Sequence, residues 1–396
     1  MRPRRVYALL VLFLPAILFS CKKDHQSAPV PVPPAETPST VYVLGVQDDS
    51  ILYWKNGAAN NIFSESGVNF NFGTSSLTAA GNNVYIAGYE PTATSQLFPL
   101  QPVFWLNGAA MDLPDSTGSI GNGTANAVAV TNGNVYVAGI REYNSQQTQV
   151  PYSGENADYP ITGGVSTLWK NGSPVSLANF GSVGMVDSGK FANRFFSDYV
   201  EAIYVSDSNV YVAGGSFYSV AHARYWKNGN PVDLIGQLNY TTSDGSAGFP
   251  MTTSIYAVGN DVYVGGFQST SFAVPIALYW KNAIPVFLST DSVQGSVANS
   301  IFVTPGTGGI VYVAGWSNIN GYSRATLWKN GIPIDLTGGD TSSVATSVCV
   351  TGKDIYVAGY FWQAPNNYKA AYWKDGNLVQ LTDGHSKAIA YSISVQ

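Results

Sequence analysis

Three carboxylates, Glu142, Asp198 and Glu201, stand on neighbouring variable stretches of this sequence. Two carboxyl groups held several ångströms apart are the minimum equipment for cleaving a glycosidic bond, one supplying a proton and the other acting as base or nucleophile. The same stretches are rich in aromatic planes, Tyr143, Tyr152, Tyr159, Phe191, Phe195, Phe196, Tyr199, Tyr240 and Phe249, set among Arg141, Asp158 and Arg194. Such planes beside a few charged hydrogen-bonding groups stack on sugar rings or anchor a peptide with no bond broken. Their other use is to give long loops a small core of their own. Imidazole and thiol chemistry is thin. Of the 3 histidines, His25 lies near the start, and His222 and His385 fall in different parts of the chain. A metal site needs such ligands clustered, so neither a metal nor another cofactor is expected. A Ser/His/Asp triad through His222 lacks the Gly-x-Ser-x-Gly elbow, and no Asp-x-Asp-x-Asp-Gly calcium loop occurs.

What must position these residues is a repeat. At 396 residues the chain exceeds the usual single-domain size, which makes internal repetition the first thing to look for. Charged residues are only 11% of the total, while there are 41 Gly, 25 Tyr and 9 Trp, a balance that suits short strands and tight turns. A strand ending in glycine recurs seven times, as in Val41-Tyr-Val-Leu-Gly45, Val135-Tyr-Val-Ala-Gly139 and Ile355-Tyr-Val-Ala-Gly359. Each copy precedes a tryptophan strand, centred on Trp54, Trp105, Trp169, Trp226, Trp280, Trp328 and Trp373. Lys-Asn-Gly follows most of these tryptophans, and Asn-Gly between strands is the strongest short hairpin signal because both residues tolerate positive φ. A short strand such as Pro231 to Leu234 completes the unit.

An inner strand such as Ala127 to Val130 precedes six of the seven copies but not the first, and an orphan inner strand, Ser392 to Val395, ends the chain. The end of the chain thus supplies what the first unit lacks, and pairing the two closes a ring without open sheet edges. The expectation is an all-β, seven-bladed β-propeller of four-stranded blades over residues 40–396, monomeric, with the repeat tryptophans packing the blades and the lysines of Lys-Asn-Gly solvated.

The first 39 residues read differently. Arg2, Arg4 and Arg5 precede the apolar run Val6 to Phe19, which is too short to span a bilayer as a helix. The run ends in Leu18-Phe19-Ser20-Cys21, which resembles the lipobox of bacterial lipoproteins. That resemblance implies a signal peptide over 1–20, a lipidated Cys21 as mature N-terminus, and a membrane held through the lipid. Residues 22–39 carry Pro29, Pro31, Pro33, Pro34 and Pro38 and suit an extended tether from Cys21 to the propeller. Lys22-Lys23-Asp24 resembles the start of Bacteroidetes lipoproteins, which implies the outer membrane and display at the cell surface. The propeller repeats also resemble those of Bacteroidetes lipoproteins with Trp-Lys-Asn-Gly blades, and more loosely kelch repeats, where paired glycines end the strand at Gly214-Gly215 and Gly265-Gly266. Removing residues 1–20 leaves 16 basic against 24 acidic side chains, a net charge of about −8 that repels phosphate backbones and excludes nucleic acid as a partner.

With strands lettered a to d from the axis outward, the a–b and c–d connections are short, and all the variation in length falls in the b–c and d–a loops. Alternating strand direction puts those two sets on one face, the top, where recognition on a rigid scaffold is usually built. The longest of them belong to blades 3 and 4. They carry Tyr143, Tyr152, Tyr159, Arg194, Phe195, Tyr199, Glu201 and Tyr240, and Trp362 stands in a b–c loop of blade 7. Trp316, where other blades have Tyr89, Phe267 and Tyr360, reads as packing. The function this supports is a surface-anchored module binding glycan or protein through the top of blades 3 and 4. A polysaccharide hydrolase or lyase using the carboxylates there, and a non-catalytic scaffold in a lipoprotein complex, are the alternatives. The Ser-x-Asp-x-Gly-x-x-Trp phrase of sialidases is absent from every blade.

Overall fold

The computed structural model describes residues 39–48, 50–64, 76–91, 100–114, 118, 123–144, 162–175, 197–206, 209–217, 221–234, 249–270, 274–289, 295–306, 308–338, 341–363, 367–383 and 386–396. They form seven antiparallel sheets of four strands. Six sheets are consecutive in the chain. The seventh, blade 1, takes its strand a from the C-terminus, Ala388–Val395, and its strand b from Val41–Gln47. Val41 faces Val395 and Val43 faces Ile393, and Thr40 and Gln396 exchange backbone hydrogen bonds at 2.7 and 3.0 Å. The strands a touch one another in one unbroken cycle from blade 1 round to blade 1 again. The protein is therefore a closed seven-bladed β-propeller, with the ring joined where the repeat count places it.

Both faces of each sheet are apolar, so each blade buries one face against each neighbour. Trp54 packs in a cluster with Tyr356, Ala370 and Leu381 of blade 7, whereas Tyr42 and Leu44, one residue out of phase with Val43, pack with Leu77, Ile86 and Trp105 of blade 2. All seven repeat tryptophans are at most 2% exposed. Every one of them serves the scaffold.

The Asn of the c–d turn does more than turn. In six blades its Oδ1 accepts the backbone N–H that opens strand b, as Asn228 does from Val210 at 2.8 Å and Asn330 from Val311 at 2.9 Å, and Asp375 does the same for Ile355 in the seventh. All seven hold φ near +50°, which Asn and Asp tolerate best among non-glycines. The preceding lysines are not simply solvated. Lys55, Lys170, Lys227, Lys281, Lys329 and Lys374 place Nζ 5.3–5.7 Å from the ring centre of the Tyr in strand b. In six of the seven blades the Lys, the Asn (Asp375 in blade 7) and the Tyr of the repeat thus form one bottom-face clasp, in which charge rests on an aromatic face.

Strands a line the axis and would otherwise present free edges there. Serines from one blade satisfy the next: Ser300 Oγ accepts from Val348 N, Ser347 Oγ from Ile393 N, and Ser392 Oγ from Leu77 N, at 3.1–3.3 Å.

Candidate functional site

One geometric device determines what the upper part of the axis can present. Strand a carries a bulge in six blades, and the extra residue is Asn126, Glu201, Thr253, Asn299, Thr346 or Tyr391. The bulge drives a backbone carbonyl toward strand b. A Cβ on Gly45, Gly139, Gly214, Gly266, Gly315 or Gly359 would overlap that carbonyl, and on Gly359 it would also come within 2.9 Å of Trp373. The repeat glycine is thus required by the bulge, and at Gly45, Gly266 and Gly359 by the tryptophan as well. The extra residues pass hydrogen bonds round the ring: Asn126 Nδ2 donates to Val200 O, Thr253 Oγ1 to Ala298 O, Asn299 Nδ2 to Ala345 O and Thr346 Oγ1 to Ala390 O, at 2.6–3.0 Å. Glu201 is the acidic member of the set. It sits half-buried in this inner layer and not on a top-face loop.

Below that layer three aromatics stack between neighbouring strands a, Tyr204 on Tyr256 at 4.5 Å and Tyr256 on Phe302 at 4.8 Å. Cys349 holds the equivalent place in blade 7, a free thiol pushed up to about 11 by burial.

Tyr199 proves to be structural. It is 6% exposed and lies over Gly215, where a Cβ would meet its Cε1 and hydroxyl at 2.6 Å. Burial pushes its phenol up to about 12, with Thr252 of blade 5 as hydrogen-bonding neighbour. It fills the seam between blades 4 and 5 and is not free to stack on a ligand. The doubled glycines have separate local causes: Gly215 admits the Tyr199 ring, whereas Gly265 lies where its Cβ would be 2.5 Å from Ser254 Oγ. Tyr143 lies in strand b of blade 3, Asn134–Asn144, with its backbone opposite Gly163. Cys21, Tyr152, Tyr159, Arg194, Phe195, Tyr240 and His385 lie outside the described residues. His222 is exposed in strand c of blade 4. Among the described residues no three His, Cys, Asp or Glu side chains gather as metal ligands would.

Trp362 has company that the repeat pattern did not reveal. It stands near the end of strand b of blade 7, Asp354–Gln363, half-buried, with its ring edge-on to Tyr368 at 5.0 Å. Tyr368 meets Tyr360 edge-on at 5.3 Å, and Lys387 of blade 1 holds Nζ 5.9 Å from the Tyr368 ring. Tyr391, the bulge residue of blade 1, has its phenol pushed up first by burial and then by Tyr360 and by Tyr89 of blade 2. Tyr360, Tyr368 and Trp362 form an aromatic arc at the top of blade 7, with a lysine beside it. The sequence signal that could have found it is the aromatic after the repeat glycine, Tyr360, next to the unpaired Trp362.

Glu90, half-buried at the top of blade 2, has its carboxyl raised by burial and then by Asp112, against a lowering hydrogen bond from Trp105. Because the folded value lies above the unfolded one, the unfolded chain sheds this proton first. Glu90 favours the fold below the ordinary carboxylate range, and that contribution is lost as pH rises through the raised value. Glu90→Gln is expected to raise the melting temperature at about pH 7 and to leave it unchanged at about pH 4. Thermal melts at the two pH values check this.

No known sequence family matches this chain, and no curated protein does. Among solved structures, a puromycin-hydrolysing peptidase of Mycobacterium tuberculosis is similar at a TM-score of 0.48 and 9% identity over 86% of this chain and 53% of its own. The acylaminoacyl peptidase of Pyrococcus horikoshii gives 0.47 and 11% over 88% and 51%. A Trypanosoma rangeli sialidase in complex with the inhibitor DANA gives 0.41 and 10% over 83% and 57%. The chain thus spans just over half the length of each, and likenesses this distant say nothing about activity or ligand.

Proposed function

We propose that this protein is a lipid-tethered, non-enzymatic binding module that takes glycan on the top face of its propeller. The observation that carries the reading is the arc Tyr360, Trp362 and Tyr368, three half-buried rings packed edge to face on a closed ring of sheets. Edge-to-face packing fixes the ring planes in advance, so little side-chain entropy remains to be lost when a sugar face settles on Trp362. The phenol groups and Lys387 supply hydrogen bonds to hydroxyls at the rim. The top loops of blades 3 and 4, with Tyr143, Tyr152, Tyr159, Arg194, Phe195 and Tyr240, extend the surface in this proposal. Cys21 anchors it to the outer membrane, and the Pro-rich segment sets its reach. Glycan, rather than a protein partner, is favoured because this site offers aromatic planes beside phenol hydroxyls and a lysine.

A glycan array probed with the purified chain tests this. Trp362→Ala should weaken binding to the best glycans by about 2 kcal/mol, roughly thirtyfold. Its melting temperature should stay close to that of the parent, because the ring is half-exposed. Binding unchanged in both Trp362→Ala and Tyr368→Ala refutes the site, and sugar released from bound glycan refutes the non-enzymatic part.

A further inference from the structure

Blade 7 buries a lysine. Lys369, in strand c (Asn367–Lys374), is 2% exposed, and among the described residues its Nζ meets no hydrogen-bonding partner. Thr382 is buried too, and its Oγ1 is likewise unpartnered. The two are neighbours. Strand d pairs Gln380 with Ala371, and Leu381 N donates to Ala370 O at 3.0 Å, which continues the register and brings Thr382 beside Lys369. On the other side Lys369 faces Phe361, and Phe361 faces Ser343. A single row across the top of the sheet therefore reads Ser343, Phe361, Lys369, Thr382.

The row looks toward blade 6. Trp373 and Val357 pack with Tyr312, Ala314, Ala325 and Leu327 of blade 6, while Ala370 packs with Val43 and Ala390 of blade 1. Alternation along the strand then puts Lys369 on the blade 6 side. Ser343 agrees: its Oγ accepts from Ala325 N at 2.8 Å and lies 2.6 Å from Thr337 Oγ1, both in blade 6. From blade 6, Trp316 stands on the side of Tyr312 and Ala314, toward blade 7, and its backbone is opposite Ala325. Trp316 and Phe361 are both half-buried. The seam between the two blades thus has a half-buried aromatic from each blade and, beside them, a buried lysine and a buried threonine with donors unspent.

An ammonium withdrawn from water with nothing to receive its hydrogen bonds is among the costlier groups a fold can hold. A buried polar group without a partner calls for an explanation, and a ligand that completes its hydrogen bonds is one. We infer that the seam between blades 6 and 7 takes the carboxylate of an acidic sugar at its upper end, with Lys369 as its anchor. The ammonium and the Thr382 hydroxyl donate to the carboxylate, and Trp316 and Phe361 flank the sugar ring. This rests on the glycan-binding reading above and names the sugar class.

The test compares the purified full chain with Lys369→Met and Thr382→Val, using D-glucuronate and D-glucose as probes. Without sugar, Lys369→Met should melt about 2 °C or more above the parent, because an apolar isostere relieves the buried charge. Glucuronate should raise the melting temperature of the parent and bind Lys369→Met at least tenfold more weakly, and Thr382→Val several-fold more weakly. Glucose should show no such difference. Equal glucuronate affinity in the parent and both variants overturns the inference, as does a parent that does not respond to glucuronate. Neutral-glycan binding on the array that persists in Lys369→Met shows the failure to be this inference's alone, whereas loss of every glycan response in the parent removes the broader reading as well. If Lys369→Met does not fold, Thr382→Val carries the comparison.

Discussion

Removal of residues 388–396 is expected to abolish the cooperative fold and not merely to fray one end. Strand Ala388–Val395 is the only inner partner of Val41–Gln47, and its Ala388, Ala390 and Ile393 sit in one cluster with Trp54 of blade 1 and Tyr356 and Leu381 of blade 7. Its Ser392 and Ser394 also accept from Leu77 N and Ala79 N of blade 2. Without it, three blades lose contacts at once, and an open ring exposes two sheet faces that are apolar throughout. The loss exceeds the roughly 5–15 kcal/mol by which folded domains are stable. Thermal melts by near-ultraviolet circular dichroism check this: the truncated chain should show no sharp transition. A truncated chain melting within a few degrees of the parent would remove ring closure from the account.

Gly359→Ala should be nearly as damaging, costing more than about 4 kcal/mol, in the range where single substitutions become diagnostic of a specific mechanism. The added Cβ would overlap the Val344 carbonyl that the bulge pushes onto this position, and would lie 2.9 Å from Trp373. Neither neighbour can retreat, since Val344 is part of a paired strand and Trp373 is fully buried. Gly376→Ala is the control. Gly376 has open space around it but a φ of +81°, so the cost there is conformational only, about 1 kcal/mol. Urea unfolding of both variants separates the two causes; equal losses would mean that the bulge does not constrain Gly359.

The scaffold was legible in the residues because each blade repeats the same need. The tryptophan and the terminal glycine of strand b recur seven times and Asn-Gly five times, and the unpaired Ser392 to Val395 announces the closure. What lies above the scaffold was not. A bulge is one extra residue with no composition of its own, so nothing marked Asn126, Glu201 or Tyr391 as members of one ring round the axis. Tyr199 read as a ligand-facing aromatic because it precedes an inner strand after a long loop, and only the space over Gly215 shows that it is packing. Lys369 stands four residues before the repeat tryptophan, where the other blades carry Ser50, Gln101, Val165, His222, Ile276 and Arg324. A lysine there reads as solvated, and its burial depends on the Phe361, Thr382 and blade 6 side chains that the fold brings round it. Trp362 was visible as an exception to the repeat, but its partner Tyr368 lies across the hairpin and has no sequence mark.

The ring itself can be tested by a covalent bond. Thr40 and Gln396 exchange both backbone hydrogen bonds, so the next pair, Val41 and Val395, is a non-hydrogen-bonded pair. Such pairs bring Cα atoms to about 4.5 Å, a separation that a disulfide can bridge. With Cys21 and Cys349 replaced by serine, Val41→Cys with Val395→Cys should oxidise to an intramolecular disulfide seen as one linked peptide by mass spectrometry. Val41→Cys with Ser394→Cys, whose side chains leave opposite faces, should stay reduced. A failure of the first pair to link under mild oxidant, or equal linking of both pairs, would contradict a propeller closed by its two chain ends.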